Sequence, residues 1–183
     1  HGGGVYNKGT LHNAVIRGCY ADASEYSDGG TMGGGGLYNA SGNASGIVSY
    51  NNTAYKGGGV YLAGGQLVNA TVLNNTIREG VEGNVNVEGG TASNVLNSIT
   101  EQDTQMSNFV LPTSFSGRAT SDAQLQLLEG ADWQLAAGSQ FIDTGVVVAG
   151  FDSGTDPAGN PRMSGTQIDR GAYEYVGATR QPT

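Results

Sequence analysis

Lys and Arg number 8 and Asp and Glu 16 in 183 residues, so acid–base chemistry has few side chains to draw on. Hydrolysis of a glycosidic bond needs two or three clustered carboxylates. Elimination from a uronic acid needs a base such as Arg or Lys, with acids that hold a cation. In the first hundred residues the bases are Lys8, Arg17, Lys56 and Arg78, and the acids are Asp22, Glu25, Asp28, Glu79, Glu82 and Glu88. These do not recur in register, and the sequence has no Asp-Asp pair or Gly-His-Gly block. His12 has only Asp22 or Asp28 as a plausible acid partner, and a single surface histidine is an ordinary feature. No catalytic residue is assigned. Asp152-Ser153-Gly154-Thr155-Asp156, with Asn160, gathers oxygen ligands around a glycine as calcium loops do. It lacks the distal bidentate Glu, and Asx turns account for Asp152 and Asp156, so no metal is expected. No glycine run is closed by Gly-Lys-Ser/Thr, so no phosphate loop and no cofactor are expected.

The side chains best spaced for binding are Tyr6, Tyr38 and Tyr61. Each follows an aliphatic residue in a repeated block: Gly2-Gly3-Gly4-Val5-Tyr6, Gly34-Gly35-Gly36-Leu37-Tyr38 and Gly57-Gly58-Gly59-Val60-Tyr61. If the aliphatic residue points inward, the tyrosine points outward, and the three make an aromatic ladder on which sugar rings could stack. Stacked tyrosines also stabilise neighbouring strands without any ligand. The ladder is therefore the candidate ligand-binding face.

What must position it is a repeat. Glycine fills 32 of 183 positions, about 17% against an ordinary share of about 7%. With 4 prolines and no three-residue period, collagen is excluded. A second block follows each glycine run, at Leu11–Ile16, Ile47–Asn52 and Leu67–Asn75, and the shift that superposes Gly36 on Gly59 also superposes Asn51-Asn52 on Asn74-Asn75. A weaker fourth copy matches Gly83-Asn84-Val85 to Gly58-Gly59-Val60, and Asn94 to Asn69. So short a period of β-branched segments, separated by Gly and Asn, fits three short strands and three turns per coil. The expectation is an all-β fold, a parallel β-helix. Val5, Leu37, Val60 and Val85 should form one inward column, and Ala14, Ile47, Ala70 and Val95 another. Ala21–Gly33 makes the first repeat too long and reads as a protruding loop.

The net charge of −8 opposes a phosphate backbone and excludes nucleic acid as a partner. The single cysteine, Cys19, excludes an internal disulfide framework or a cysteine zinc site. No run of about 18 apolar residues is present, so no transmembrane helix is expected. The chain begins at His1 and its first residues already belong to a repeat, which reads as a piece of a longer protein.

After about Asn97 the repeat dissolves. Residues 1–100 read as coils, 101–175 as a C-terminal cap and 176–183 as a linker. The densest motifs are Asp132-Trp133-Gln134-Leu135 running to Phe141-Ile142-Asp143-Thr144-Gly145, then Asp156-Pro157-Ala158-Gly159-Asn160-Pro161-Arg162, then Ile168-Asp169-Arg170-Gly171-Ala172-Tyr173-Glu174-Tyr175. In this order and spacing they resemble the C-terminal region of bacterial secreted β-helix proteins of the choice-of-anchor Q type, and the Gly-Gly-Gly-Val-Tyr coils look like the right-handed repeats that precede it. The resemblance implies right-handed coils, export, and display at the bacterial cell surface or outside the cell. It implies no settled activity. Trp133, Leu135, Phe141 and Ile142 have the bulk to plug an open β-helix end, and Arg162, Arg170, Asp143 and Asp169 could tie the capping loops by ion pairs. A short helical turn is expected only at Ala123–Leu128. The expected function is a non-catalytic, adhesin-like or glycan-contacting surface module, with extracellular glycans or a host surface as partner. The alternative is the C-terminal part of a polysaccharide lyase or glycoside hydrolase whose active site lies in preceding coils.

Overall fold

The structure is a computed structural model, and it describes residues 2–21, 33–77, 81–87, 94–100, 126–152 and 154–177. It is all-β, and three sheets of parallel strands recur along the chain. The first sheet orders β1 (Val5–Asn7), β3 (Leu37–Asn39), β6 (Val60–Leu62) and β10 (Val85–Val87). The second orders β2 (Thr10–Arg17), β4 (Asn43–Tyr50) and β7 (Gln66–Leu73), with β11 (Val95–Leu96) and β12 (Ile99–Thr100) both on the far edge of β7. The third pairs β5 (Thr53–Ala54) with β8 (Thr76–Ile77), and β9 (Val81–Glu82) returns antiparallel on β8. The chain thus visits the sheets in turn and comes back one strand further along each. This arrangement of successive rungs is compatible with a β-solenoid.

The repeat read from the sequence sets the register. Val5, Leu37, Val60 and Val85 stand opposite one another, as do Ala14, Ile47 and Ala70. These aliphatic residues meet in one core with Ala44, Leu62, Leu67, Val72 and Val95. Val5 and Ala14 are only partly covered, because β1 and β2 have a strand neighbour on one side alone among the described residues. Val95 is the exception to the expected column. It stands opposite Leu67 rather than Ala70. The residue that matches Asn69 is Asn97, not Asn94: the pairing of Leu96 with Val68 and of Ile99 with Thr71 sets Asn97 opposite Asn69, and both adopt left-handed backbone (φ 49° and 52°).

Buried amides bind the rungs internally. The Asn75 side-chain oxygen accepts from the backbone and side-chain nitrogens of Asn52 (both 3.0 Å), and Asn84 accepts likewise from Asn75 (3.0 and 2.9 Å). In the first rung Cys19 takes the equivalent place, its N–H donating to Asn52 at 2.9 Å. This ladder, with the Ser49 hydroxyl, Val72 and the backbone of the next rung, leaves no room for a side chain at the last glycine of the second and third glycine runs. A Cβ at Gly36 would lie 2.8 Å from Asn52 Nδ2, and one at Gly59 2.6 Å from Asn75 Nδ2.

The C-terminal segment does not plug an end of the rungs. Trp133, Leu135, Phe141 and Tyr173 pack with Val48, Tyr50, Leu73 and Ile99, which lie on the opposite face of the second sheet from Ile47, Ala70 and Val72. Ile142 and Tyr175 pack at the margin. The segment therefore covers the side of the stack. Alternation along β4 and β7 supplies large apolar groups on both faces, so the outer face needs burial as much as an end would. The expected helical turn is corrected as well. Leu127–Leu128 is a strand, β13, antiparallel to β14 (Gln134–Leu135), with a 3-10 turn at Glu129–Ala131 between them. Ala123, and most of the loop after Ala21, lie outside the described residues.

Candidate functional site

The three tyrosines form the expected ladder, but with a different accessibility. Parallel in-register strands place like side chains directly above one another, so ring faces meet each other rather than solvent. Tyr6 and Tyr38 stack with centroids 5.4 Å apart and planes 15° apart, and Tyr38 and Tyr61 at 5.1 Å and 9°. Tyr6 is 46% exposed, whereas Tyr38 is 7% and Tyr61 1%. Lys8 lies over Tyr6, 5.5 Å from the ring centroid. A sugar cannot lie on Tyr38 or Tyr61 in this arrangement. The ladder is a structural seam of the first sheet, and only its Tyr6 end meets solvent.

A different feature gathers polar groups. At one position of the second sheet, successive rungs carry Asn13, Gly46, Asn69 and Asn97, all with positive φ (50°, 62°, 52° and 49°). These left-handed residues bend the strand, and Asn and Gly tolerate that conformation where other residues are strained. The bend turns the asparagine amides outward onto the C-terminal segment. Asn97 exchanges two hydrogen bonds with the backbone of Val146, accepting from its N–H at 2.9 Å and donating to its carbonyl at 2.5 Å. Asn69 donates to the Phe151 carbonyl at 3.1 Å, and Asn13 to the Thr155 carbonyl at 2.9 Å. Val146, Phe151 and Thr155 thus lie in turn on the fourth, third and first rungs.

Gly46 interrupts this track, and a cleft opens there. Its walls include His12, Asn13, Ser45, Asn69, Phe151, Thr155 and Arg162, and its volume is about 270 Å³. His12 Nδ1 and Ser45 Oγ, on facing positions of β2 and β4, share a hydrogen bond at 2.5 Å. Among the described residues this is the one side-chain hydrogen bond of His12. Asp22 and Asp28, its conceivable acid partners, lie outside those residues, as do Glu25, Arg78, Glu79 and Glu88. Among the described residues, Asn69, 2% exposed, has no hydrogen-bond partner at Oδ1, and Arg162, 3% exposed, has none at Nε.

Behind the cleft a buried charged group holds the C-terminal loops. Arg162 donates to the carbonyls of Ala172 (2.7 Å) and Gly171 (3.4 Å) and pairs with Glu174 at 3.5 Å. The expected ion pairs among Arg162, Arg170, Asp143 and Asp169 are replaced largely by bonds to backbone. Asp143 accepts from the N–H groups of Thr166 and Gln167, Asp169 from those of Asp143 and Tyr175, and Arg170 donates to the Thr144 carbonyl. Loops expose many backbone groups, and a short carboxylate satisfies several at once. Burial pushes the Glu174 carboxyl up to about 7, with the charge of Asp169 adding to it and Arg162 opposing. Burial also raises Asp169 and lowers Arg162. Asp143 is lowered by the N–H groups it accepts, that of Gln167 first. Asp156 accepts from the N–H groups of Ala158, Asn160 and Glu174 and from the Asn160 amide, the pattern of an Asx turn.

Of the cleft residues, the sequence points to His12 for acid–base chemistry, to Thr155 as a member of the calcium-like Asp152–Asp156 loop and to Arg162 as part of a C-terminal motif. It connects none of Asn13, Ser45, Asn69 and Phe151 with a site. The available signal was the recurrence of Asn or Gly at 13, 46, 69 and 97, hidden by the misplaced match of Asn94. Comparison with family models, curated proteins and solved structures finds no match for the chain.

Proposed function

We propose that the chain is a non-catalytic module of an exported bacterial protein, displayed at the cell surface or outside the cell, that contacts glycans in the manner of an adhesin. In this reading the recurrent sheets are the coils of a right-handed parallel β-helix. The hand follows the resemblance of the C-terminal motifs and the general preference for right-handed crossovers. The observation that carries the reading is the polar cleft on the outer side of the rungs, where amide, hydroxyl and imidazole groups converge beside one aromatic ring. Such a set suits hydrogen bonding to hydroxyls with a small apolar contact, the ordinary composition of a small-molecule site. The acids nearest the cleft favour binding over turnover. Asp156 and Glu174 are buried and bonded to the chain's own backbone, so neither carboxyl is open to a substrate.

The test is an array of immobilised neutral and uronic-acid polysaccharides, read for retention and, on the same samples, for released reducing ends and unsaturated products. Weak retention on neutral glycans without product is expected. A silent array removes the glycan contact, and product formation replaces the reading with a lyase or hydrolase.

A further inference from the structure

We infer that Tyr20 and Tyr55 form an open aromatic platform on the third sheet that takes a neutral polysaccharide chain, one sugar ring stacked on each tyrosine. The inference rests on the glycan-contacting reading and adds to the cleft a second contact surface with its ligand class.

Register places the two rings on one face. Tyr20 bridges Thr53 in parallel, so its side chain leaves the sheet on the same side as that of Thr53. Ala54 is buried, and alternation sends Thr53 and Tyr55 outward on either side of it. One rung and two residues separate the tyrosines, about 8 Å between their Cα atoms at ordinary strand spacings. Their rings are open where those of the ladder are not. Tyr6, Tyr38 and Tyr61 turn their faces to one another, whereas neither Tyr20 nor Tyr55 has a ring partner or a bonded hydroxyl among the described residues. Tyr20 is 66% exposed and Tyr55 46%. A ligand therefore reaches both rings from solvent.

The neighbours decide the occupant. Across Tyr20–Ala21, Thr53–Lys56 and Thr76–Ile77 no aliphatic side chain is exposed. Thr53 and Thr76 share a hydroxyl bond at 2.8 Å, Asn74 donates to Asn51 at an exposed corner, and the exposed Lys56 follows Tyr55. A protein partner needs a contiguous apolar core at its contact, and this strip offers none. A sugar presents an apolar ring face with a rim of hydroxyls, which matches aromatic rings set among hydroxyls and amides. Charge selects within that class. The net charge of −8 disfavours a polyuronate, and Glu82, opposite Thr76, balances Lys56 on the same sheet.

The experiment is a ¹H–¹³C NMR titration of the tyrosine ring signals with cellohexaose, mannohexaose and laminarihexaose and, as the acidic counterpart, an oligogalacturonate. At least one neutral hexasaccharide should shift the Tyr20 and Tyr55 signals, with a Kd on the order of 1 mM and the oligogalacturonate about tenfold weaker. Tyr20→Ala and Tyr55→Ala should each weaken binding about fivefold, the contribution of one stacked ring, whereas Tyr20→Phe and Tyr55→Phe, which keep the ring, should bind nearly as the parent does. Tyr6→Ala should leave binding unchanged. All three tyrosines are exposed, so every variant should keep the parent's backbone amide spectrum. Binding that survives the loss of both rings, or that Tyr6→Ala weakens as much, would overturn the platform. Tighter binding of the oligogalacturonate would overturn the neutral ligand class. Retention on the polysaccharide array with the Tyr20 and Tyr55 signals unmoved would sink the platform alone, while silence in both would sink the glycan-contacting reading as well.

Discussion

Glu174 couples stability to pH. Its carboxyl is raised by burial to about 7 from an ordinary 4.5, so between those values the folded chain holds a proton that the unfolded chain releases. Its contribution is therefore complete below about pH 4.5 and is lost as pH rises through 7, amounting to at most about 3 kcal/mol. Asp169 is shifted in the same direction. The melting temperature should fall between pH 5 and pH 8 by more in the parent than in Glu174→Gln, which keeps the oxygen that accepts from Asp169 N–H. Equal slopes in thermal scans of the two proteins would contradict this assignment. Tyr38 makes the opposite kind of prediction. Removing the middle ring of the stack by Tyr38→Ala should destabilise the fold by roughly 3 kcal/mol, as for other large core aromatics, without changing sugar binding. Lost binding in a variant that still folds would restore the ladder as the ligand face. The position of Tyr38 was legible from the repeat, but its burial was not. Alternation tells which face a side chain leaves, and nothing about what lies over that face.

At the scale of elements, the rungs were legible because two landmarks, a glycine block and an asparagine pair, move together between the second and third copies. The pairing of Leu37 with Val60 and of Ile47 with Ala70 follows directly. The fourth rung was misread because the spacing between its two landmarks differs. Val85 stands opposite Val60, but Val95 opposite Leu67, so the second landmark is shifted by three further residues relative to the first. The asparagine ladder that runs through the rungs gives a sharp test. Asn75→Ala takes the acceptor from the buried N–H and side-chain amide of Asn52 and one of two donors from the Asn84 oxygen, and should cost about 3 kcal/mol by urea denaturation. Asn74, one residue earlier, bonds Asn51 at an exposed position, and Asn74→Gly should change the midpoint little. Equal effects of the two substitutions would show that the ladder does not hold the rungs.

For the whole molecule, the cleft depends on where the C-terminal segment lies. Its motifs were recognisable as one unit, and Trp133, Leu135 and Phe141 were recognisable as its core. Their docking surface was not, because long-range packing leaves no local period in the sequence. An end plug would sit against the fourth rung alone, whereas in the structure Val146 bonds the fourth rung, Phe151 the third and Thr155 the first, and the cleft exists only in the second case. A nitroxide spin label on Thr155→Cys, with Cys19→Ala to leave a single thiol, distinguishes the two by paramagnetic broadening of backbone amides. Loss of the His12, Asn13, Ser45 and Gly46 signals is expected, with the Val95–Thr100 signals less affected. Broadening confined to Val95–Thr100, with the first two rungs intact, would contradict it.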